Sequence, residues 1–219
     1  MKKHLPVLRN SSFFSGMSDD EILSVLHCVD ARTVTRRNEE YIFHAGESIS
    51  EMGLVLSGSV LVVQEDVWGR RNIMSRIEAG DIFAESYAAT PGSVLNISAV
   101  ACERCEILLL NVGRLLTVCP SACGHHSRLI RSLVTVLSRK VLQFNEKITH
   151  MSRRSTREKL LSYLSAESVK QGTRSFDIPY DRQQLADYLC VERSAMSAEL
   201  SKLQREGLLR TNRNHFELF

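Results

Sequence analysis

The fold is decided by Asp181-Arg-Gln-Gln-Leu-Ala-Asp-Tyr-Leu-Cys-Val-Glu-Arg-Ser-Ala-Met-Ser-Ala-Glu-Leu-Ser-Lys-Leu-Gln-Arg-Glu-Gly207. Apolar residues recur here every three or four positions in two groups: Leu185 and Leu189, then Met196, Leu200 and Leu203. Such spacing is typical of two amphipathic helices, each with one apolar stripe. We expect the break between them at residues 190–192. Asp181 is a good cap for the first helix, and Gln184 is its capping-box partner.

Two short helices with a tight break predict a helix-turn-helix, and Ala186 is small enough to let the second helix cross closely. The outward side of the second helix would carry polar residues: Arg193, Ser194, Ser197 and Ser201. Arginine and hydroxyl groups near the start of a helix are what the base edges of a major groove require. An ordinary helical hairpin is the alternative, and periodicity alone does not separate the two.

The segments on either side of this helix pair favour the first interpretation. A polar hinge, residues 152–156, offers Ser155 and Thr156 as caps for a helix over 157–169, and a short strand follows at 176–179. After Gly207, two β-rich runs at 208–211 and 215–218 predict a hairpin. A helix pair followed by a β-hairpin is a winged helix, which is a DNA-binding arrangement.

The first half of the chain has a different pattern, with short β-rich runs from Thr33 to Leu110. Glycines separate the runs at spacings of 12, 11 and 11 residues: Gly46, Gly58, Gly69 and Gly80. The predicted strands are Tyr41–Phe43, Gly53–Leu56, Ser59–Val63, Asn72–Ile77, Asn96–Ala101 and Cys105–Leu110. Regular turn glycines between short strands predict an antiparallel jelly-roll or a related barrel.

Four motifs in this half occur in a recognisable order: Ile42-Phe-His-Ala-Gly-Glu47, Val55-Leu-Ser-Gly-Ser-Val60, Gly69-Arg70 and Ala79-Gly-Asp-Ile-Phe83. They resemble the effector domain of the CRP/FNR family, the cyclic-AMP receptor and oxygen-responsive regulators of bacteria. The likeness continues into the helix-turn-helix and covers nearly the entire chain. It implies an α+β fold with an effector-sensing barrel at 1–118, a linker and dimerisation helix at 119–151 and a winged helix-turn-helix at 152–219.

A long helix is predicted from about His126 to Met151. Its apolar residues recur at steps of three and four and form a candidate dimer seam: Ile130, Leu133, Leu137, Val141, Phe144 and Ile148. A stripe of this kind is typical of a coiled coil, although a helix packed on its own barrel has the same pattern. Relatives that the chain resembles dimerise through the corresponding helix. A homodimer would present two reading helices to half-sites one turn apart in a roughly palindromic operator of double-stranded DNA.

The resemblance also assigns DNA contacts by position. The base-reading residues fall on Arg193, Ser194 and Ser197, with a fourth position at Ala198, where many relatives have arginine. Five further residues are placed to contact backbone phosphates, which fix register rather than sequence: Arg182, Gln183, Lys202, Arg210 and Arg213. Each could equally be a solvated surface charge. Glu192 is a poorer cap than Ser, Thr or Asp, and Cys190 takes a turn position where glycine is common, so we expect an unusual turn.

The cyclic-AMP branch of the family holds its nucleotide with a glycine–glutamate pair and an arginine–serine pair. The candidate effector pocket therefore consists of Glu85, Ser86 and Ser98. Ile97 stands where the arginine should be. A buried phosphate without a cation has an uncompensated desolvation cost, which argues against cyclic AMP. The three polar residues line a pocket for another ligand or have structural roles.

The cysteines offer a second kind of sensor. The oxygen-sensing branch uses an N-terminal cysteine group, and residues 1–27 contain no cysteine. Cys105, Cys119 and Cys123, with Cys102 and His126 nearby in sequence, have spacings that suit zinc, an iron-sulfur cluster or a thiol switch. The alternative is that they are small buried hydrophobic residues or inert thiols.

Composition restricts the remaining choices. With 43% hydrophobic and 24% charged residues, without a run of 18 apolar residues and without a signal-peptide pattern, the sequence predicts a cytoplasmic protein and no membrane partner. A cupin-type enzyme needs several inward histidines, and the barrel has only His44, so we expect no enzyme. The excess of basic residues, 12 against 9 acidic, lies in 151–219.

These features predict a dimeric, sequence-specific transcription regulator that is switched by an effector or a redox signal, with RNA polymerase as a further partner. The alternative is an effector-binding module that acts on protein partners. Strong salt dependence of retention on a promoter would distinguish the regulator from such a module.

Overall fold

The computed structural model describes residues 2–117 and 124–219. Contacts divide the chain into two compact units. The first unit comprises Met1–Gly69 and Met74–Lys140, and the second comprises Arg70–Ile73 and Val141–Phe219. The division at 1–118, 119–151 and 152–219 expected from the sequence stays a prediction.

The first unit begins with helical turns. Two 3-10 turns, Lys2–His4 and Ser12–Phe14, flank α1 (Leu5–Asn10), and α2 covers Asp19–Cys28. Ser18 caps α2 in a complete capping box with Glu21. Its acidic first turn lies at the positive end of the helix dipole, which stabilises the start of the helix.

Two four-stranded antiparallel sheets follow, with strand orders β1-β8-β3-β6 and β2-β7-β4-β5. The strands are β1 (Arg32–Arg36), β2 (Tyr41–Phe43), β3 (Glu51–Ser57), β4 (Val60–Glu65), β5 (Arg71–Ile77), β6 (Ile82–Phe83), β7 (Ser98–Ala101) and β8 (Cys105–Asn111). All six predicted strands are present. The two additional ones, β1 and β6, lack a sequence signal because β1 is polar and β6 has only two residues.

Strand β8 separates two apolar cores. Ile107 and Leu109 belong to a cluster inside the barrel with Phe83, while Leu108 and Leu110 belong to a cluster on the other side of the sheet. Because both faces of β8 are covered, the strand reads as a continuous apolar run. Three helices complete the connections of this half of the chain: α3 (Glu85–Ala88), α4 (Val112–Leu116) and α5 (Gly124–Met151).

The second unit contains a winged helix, as predicted. Its elements are α6 (Thr156–Gln171), β9 (Ser175–Asp177), α7 (Arg182–Leu189), α8 (Arg193–Arg205), β10 (Leu209–Asn212) and β11 (His215–Leu218). The three strands form an antiparallel sheet in the order β10-β11-β9. Ser155 caps α6 in a capping box with Glu158. The fold class expected from the sequence is therefore confirmed.

One close approach in the barrel allows a direct test of its packing. Gly53 of β3 pairs with Phe83 of β6, and a Cβ atom at Gly53 would lie 2.2 Å from Cζ of the Phe83 ring. Phe83 is fully buried, so its ring has little room to move. We expect Gly53→Ala to lower the free energy of unfolding by about 1–3 kcal/mol. Urea denaturation followed by circular dichroism measures it.

The double variant Gly53→Ala/Phe83→Leu is the matched control, because leucine removes the ring atoms that the new methyl group would meet. We expect the double variant to lose less free energy of unfolding than the two single variants lose together. Strict additivity of the two changes would contradict this packing.

Candidate nucleic-acid interface

The turn between α7 and α8 lies where the sequence predicted it. Asp181 and Gln184 form both arms of the capping box at the start of α7. The helix ends at Leu189, and the following residue, Cys190, has a φ of +52°, in the left-handed region that favours glycine. Glu192 precedes α8 without making a side-chain cap, in accord with its poor capping ability.

Helix α8 has a buried side and an exposed side. Met196 and Leu203 are fully buried and Leu200 is nearly so. Four residues on the opposite side are exposed: Arg193, Ser194, Ser197 and Ala198. Ser201 differs from these, because its hydroxyl donates to the Ser197 carbonyl at 3.0 Å and is already bonded within the helix. The exposed side therefore offers one arginine and two hydroxyl groups in its first turn and a half.

Helix α6 holds both helices of this pair through two cations, Arg157 and Lys159, for which the sequence has no signal. Arg157 binds Glu199 of α8 at 3.2 Å and Glu206, the residue that follows α8, at 2.5 Å. These bonds keep the pKa of Glu206 below its ordinary value. Lys159 donates to the carbonyls of Leu189 and Cys190, at 3.2 and 3.3 Å, where α7 ends. A cation at the negative end of a helix dipole stabilises that end.

Four of the five predicted phosphate contacts have exposed side chains: Gln183, Lys202, Arg210 and Arg213. Arg210 lies 3.7 Å from Glu217 and over the ring of Phe219, yet 77% of its side chain remains exposed. Arg213 occupies the tip of the β10–β11 hairpin. Arg182 is different, since it is half-buried and donates to the Thr211 hydroxyl at 2.6 Å.

The candidate effector residues make separate contacts. Glu85 is 3% exposed and lies 2.8 Å from Nζ of Lys140, which also donates to the Ile82 carbonyl at 2.7 Å. The other oxygen of Glu85 has no hydrogen-bond partner among the described residues. Ser98 accepts from the Ala45 amide at 3.0 Å.

Ser86 is exposed, and Ile97, in the place of the expected arginine, is buried in the barrel core. Lys140 has no sequence signal for this contact, because a lysine on a helix is ordinarily solvated.

The proposed dimer seam on α5 has two parts. Leu133 is 4% exposed and packs with Leu129 in the core of the first unit. Ile130 and Leu137 are half-buried. The others are exposed hydrophobic side chains: Val141 at 57%, Phe144 at 42% and Ile148 at 63%. Leu133 departs from the expectation because it faces its own barrel, and Val134, 57% exposed, lies on the solvent side instead.

Two family profiles match this chain. The profile of the cyclic nucleotide-binding domain matches residues 33–121, and that of the Crp-like helix-turn-helix domain matches residues 158–218. The chain belongs to the CRP/FNR family. It is a DNA-binding transcription regulator with an effector-type domain and a helix-turn-helix. A search of curated proteins found no match.

Solved structures of CRP/FNR regulators share the fold. The c-di-GMP responsive regulator CLP of Xanthomonas campestris superposes with a TM-score of 0.75 at 18% identity, covering 92% of this chain and 99% of that one. FixK2 of Bradyrhizobium japonicum gives 0.65 at 20% identity, covering 86% and 92%. The catabolite activator protein of Thermus thermophilus gives 0.54 at 21% identity, covering 95% and 94%.

The cysteines of this CRP/FNR chain are only partly described. Cys105 is fully buried in the barrel core and Cys102 is half-buried. Burial raises the pKa of both thiols, which disfavours the thiolate that a metal needs. Cys119 and Cys123 lie outside the described residues. Within 2–117 and 124–219, no three metal-ligating side chains form a group. A shared site of Cys105, Cys119 and Cys123 stays a prediction.

A buried lysine lies against α7 in the second unit. Lys147 of α5 is 4% exposed, and its ammonium donates to the Ile73 carbonyl and lies 4.7 Å from the centre of the Tyr188 ring. Burial lowers its pKa from 10.5 to about 8. Beside it, the Cys190 thiol donates to Asn72 at 3.3 Å. No sequence pattern predicts this cluster, because its members are far apart along the chain.

In the part of the chain that the structure describes, no helix combines the length and the apolar character needed to cross a membrane.

The lowered pKa of Lys147 predicts how stability depends on pH. Between about pH 8 and 10.5 the unfolded state binds more protons than the folded state, so the free energy of unfolding rises with pH. Relative to Lys147→Met, which cannot titrate, we expect the wild type to gain up to about 3 kcal/mol across this range. Urea denaturation at several pH values measures the difference, and parallel curves for the two proteins would contradict the burial of a charged Lys147.

Proposed function

We propose that this regulator acts as a homodimer in the cytoplasm and reads a roughly palindromic duplex with the exposed side of α8 from each copy. One observation carries the proposal. The apolar side of α8 is buried at Met196, Leu200 and Leu203, which leaves Arg193 and the two serines exposed at the start of the helix. A helix enters the major groove with its N-terminal residues toward the base edges.

The exposed side chains have distinct roles in this proposal. Arg193 donates two hydrogen bonds to O6 and N7 of a guanine, which is a strong specific contact. Ser194 and Ser197 donate or accept with less discrimination. Ala198, where relatives have arginine, offers only a methyl group, and a thymine methyl is its matching partner. One base pair of each half-site is therefore read strongly and the others weakly.

Backbone phosphates bind the exposed polar residues around α8. Gln183 lies at the start of α7, Lys202 on α8, and Arg210 and Arg213 on the hairpin. Phosphate contacts fix the register of the protein on the duplex and make affinity depend on salt. When the protein is bound near a promoter, RNA polymerase is the partner through which it would act.

Pairing along α5 supplies the second reading helix. Val134, Val141 and Ile148 recur every seven residues and are exposed, with Phe144 beside them. A heptad stripe exposed to water is the pattern that a parallel partner helix buries. Two copies joined in this way present α8 to successive major grooves.

A ligand other than cyclic AMP controls the barrel in this proposal. Ile97 is apolar and buried where a phosphate would need a cation, and the charge of Lys140 is already neutralised by Glu85. Burying a phosphate there would leave its charge uncompensated. The free oxygen of Glu85 instead favours a ligand that carries a hydroxyl or amino donor.

We expect Arg193→Ala to lose discrimination at one base pair of the half-site, by about 1–3 kcal/mol. Selection of bound sequences from random duplexes first identifies the operator, and binding to each operator variant is then measured with wild type and mutant. Ser201→Ala is the control, since that hydroxyl is bonded within α8. An Arg193→Ala protein that ranks every operator variant as wild type does would remove Arg193 from the reading set.

We expect Ile148→Asp to be monomeric in sedimentation experiments, because a carboxylate in the stripe opposes burial by a partner helix. Operator affinity should fall by about 100-fold or more, since two linked half-sites bind far more tightly than one. Gln143→Asp adds the same charge at an exposed position outside the stripe and should remain dimeric. An Ile148→Asp dimer with wild-type affinity would contradict pairing along this stripe.

A further inference from the structure

Arg182, the first residue of α7, is engaged by the protein itself. Its Nη2 donates to the Thr211 hydroxyl at 2.6 Å, and its guanidinium lies 5.0 Å from the centre of the Phe216 ring. Phe216 is fully buried beneath it. These contacts join the start of α7 to both strands of the β10–β11 hairpin.

Thr211 extends this connection. Its hydroxyl donates to the His215 carbonyl at 2.9 Å, so it bridges the two strands of the hairpin. Its backbone amide donates to the Gln204 side chain at 3.1 Å, and Gln204 is on α8. One threonine therefore links the hairpin, the reading helix and Arg182.

The environment of Arg182 differs from that of a typical phosphate contact. Burial lowers its pKa, and Nη1 is buried without a hydrogen-bond partner among the described residues. Within the same residues, its described partners are a hydroxyl and an aromatic ring, with no carboxylate. A cation held in this way is partly desolvated before DNA arrives, whereas Arg210 and Arg213 remain exposed. A guanidinium that is partly removed from water and stacked on an aromatic ring is typical of an arginine with a structural role.

We propose that Arg182 is a positioning residue that fixes the β10–β11 hairpin relative to α8, so that Arg213 at the hairpin tip reaches a DNA phosphate. The inference rests on the proposed function and adds to it a residue that acts through the hairpin rather than on DNA. Arg213 has a φ of +52° in the two-residue turn between β10 and β11. The direction of its side chain therefore depends on the position of these two strands.

The test compares variants by fluorescence anisotropy on the selected operator over a range of salt concentrations. Thr211→Val removes the hydroxyl without changing any charge, and Arg182→Lys keeps the charge but loses the planar fork. We expect each to weaken operator binding by about 10-fold. Thr149→Val, the same substitution at an exposed position of α5, should bind as wild type.

A double-variant comparison separates positioning from direct contact. If Arg182 acts through the hairpin, Arg182→Ala causes little further loss in a protein that already carries Arg213→Ala. The slope of log K against log salt concentration then decreases in magnitude by about one in Arg213→Ala, and it decreases no further in the double variant. Additive losses, a slope lowered by about two, or wild-type binding by Thr211→Val would each overturn the proposal and make Arg182 a phosphate contact.

Hydrogen exchange tests the same connection without DNA. We expect Arg182→Lys and Thr211→Val to speed amide exchange at residues 212–215, with exchange in α6 unchanged. Unchanged exchange at the hairpin would overturn the proposal even if the regulator bound DNA as expected. If wild-type protein showed no salt-dependent, sequence-specific binding, the proposed function would fail, while the exchange result would still decide whether Arg182 holds the hairpin.

Discussion

Burial of one side of α8 determines which side chains can reach DNA. Met196, Leu200 and Leu203 each lose nearly all contact with water, and each such burial contributes about 1.5–3 kcal/mol. Turning the helix to present another side would expose all three. The exposed position of Arg193 is therefore a consequence of the core, and Arg157 on α6 reinforces it by binding Glu199 of α8 and Glu206 directly after this helix.

Lys140, Lys147 and Arg182 are partly or wholly buried, and they are stabilised by different means. Lys140 has a carboxylate partner in Glu85. Lys147 and Arg182 instead use a backbone carbonyl, a hydroxyl and aromatic rings. Oxygen dipoles and ring faces solvate a cation without cancelling its charge. Among the described residues, Arg182 therefore links α7 to the β10–β11 hairpin without a carboxylate partner, whose charge would repel a phosphate backbone.

The sequence predicts those features that depend on neighbours along the chain. The capping box of Asp181 and the break at Cys190 are local, and both are present. Contacts between distant residues have no such signal: Arg182 meets Thr211, 29 positions away, through an arginine that looks like a surface charge. Strand β1 was missed for a related reason, because its polar sequence is held by backbone pairing to β8 rather than by an apolar face.

Helix α5 explains why periodicity could not decide between pairing and packing on the barrel. Its apolar residues form two adjacent stripes: Leu129, Leu133 and Val136 are buried in the first unit, while Val134, Val141 and Ile148 are exposed. Steps of three and four describe either stripe, so the two interpretations are compatible. The exposed stripe runs from the part of α5 in the first unit to the part in the second. A ligand that changes the packing of the barrel on the first part of α5 would therefore act on the helix along which pairing is proposed.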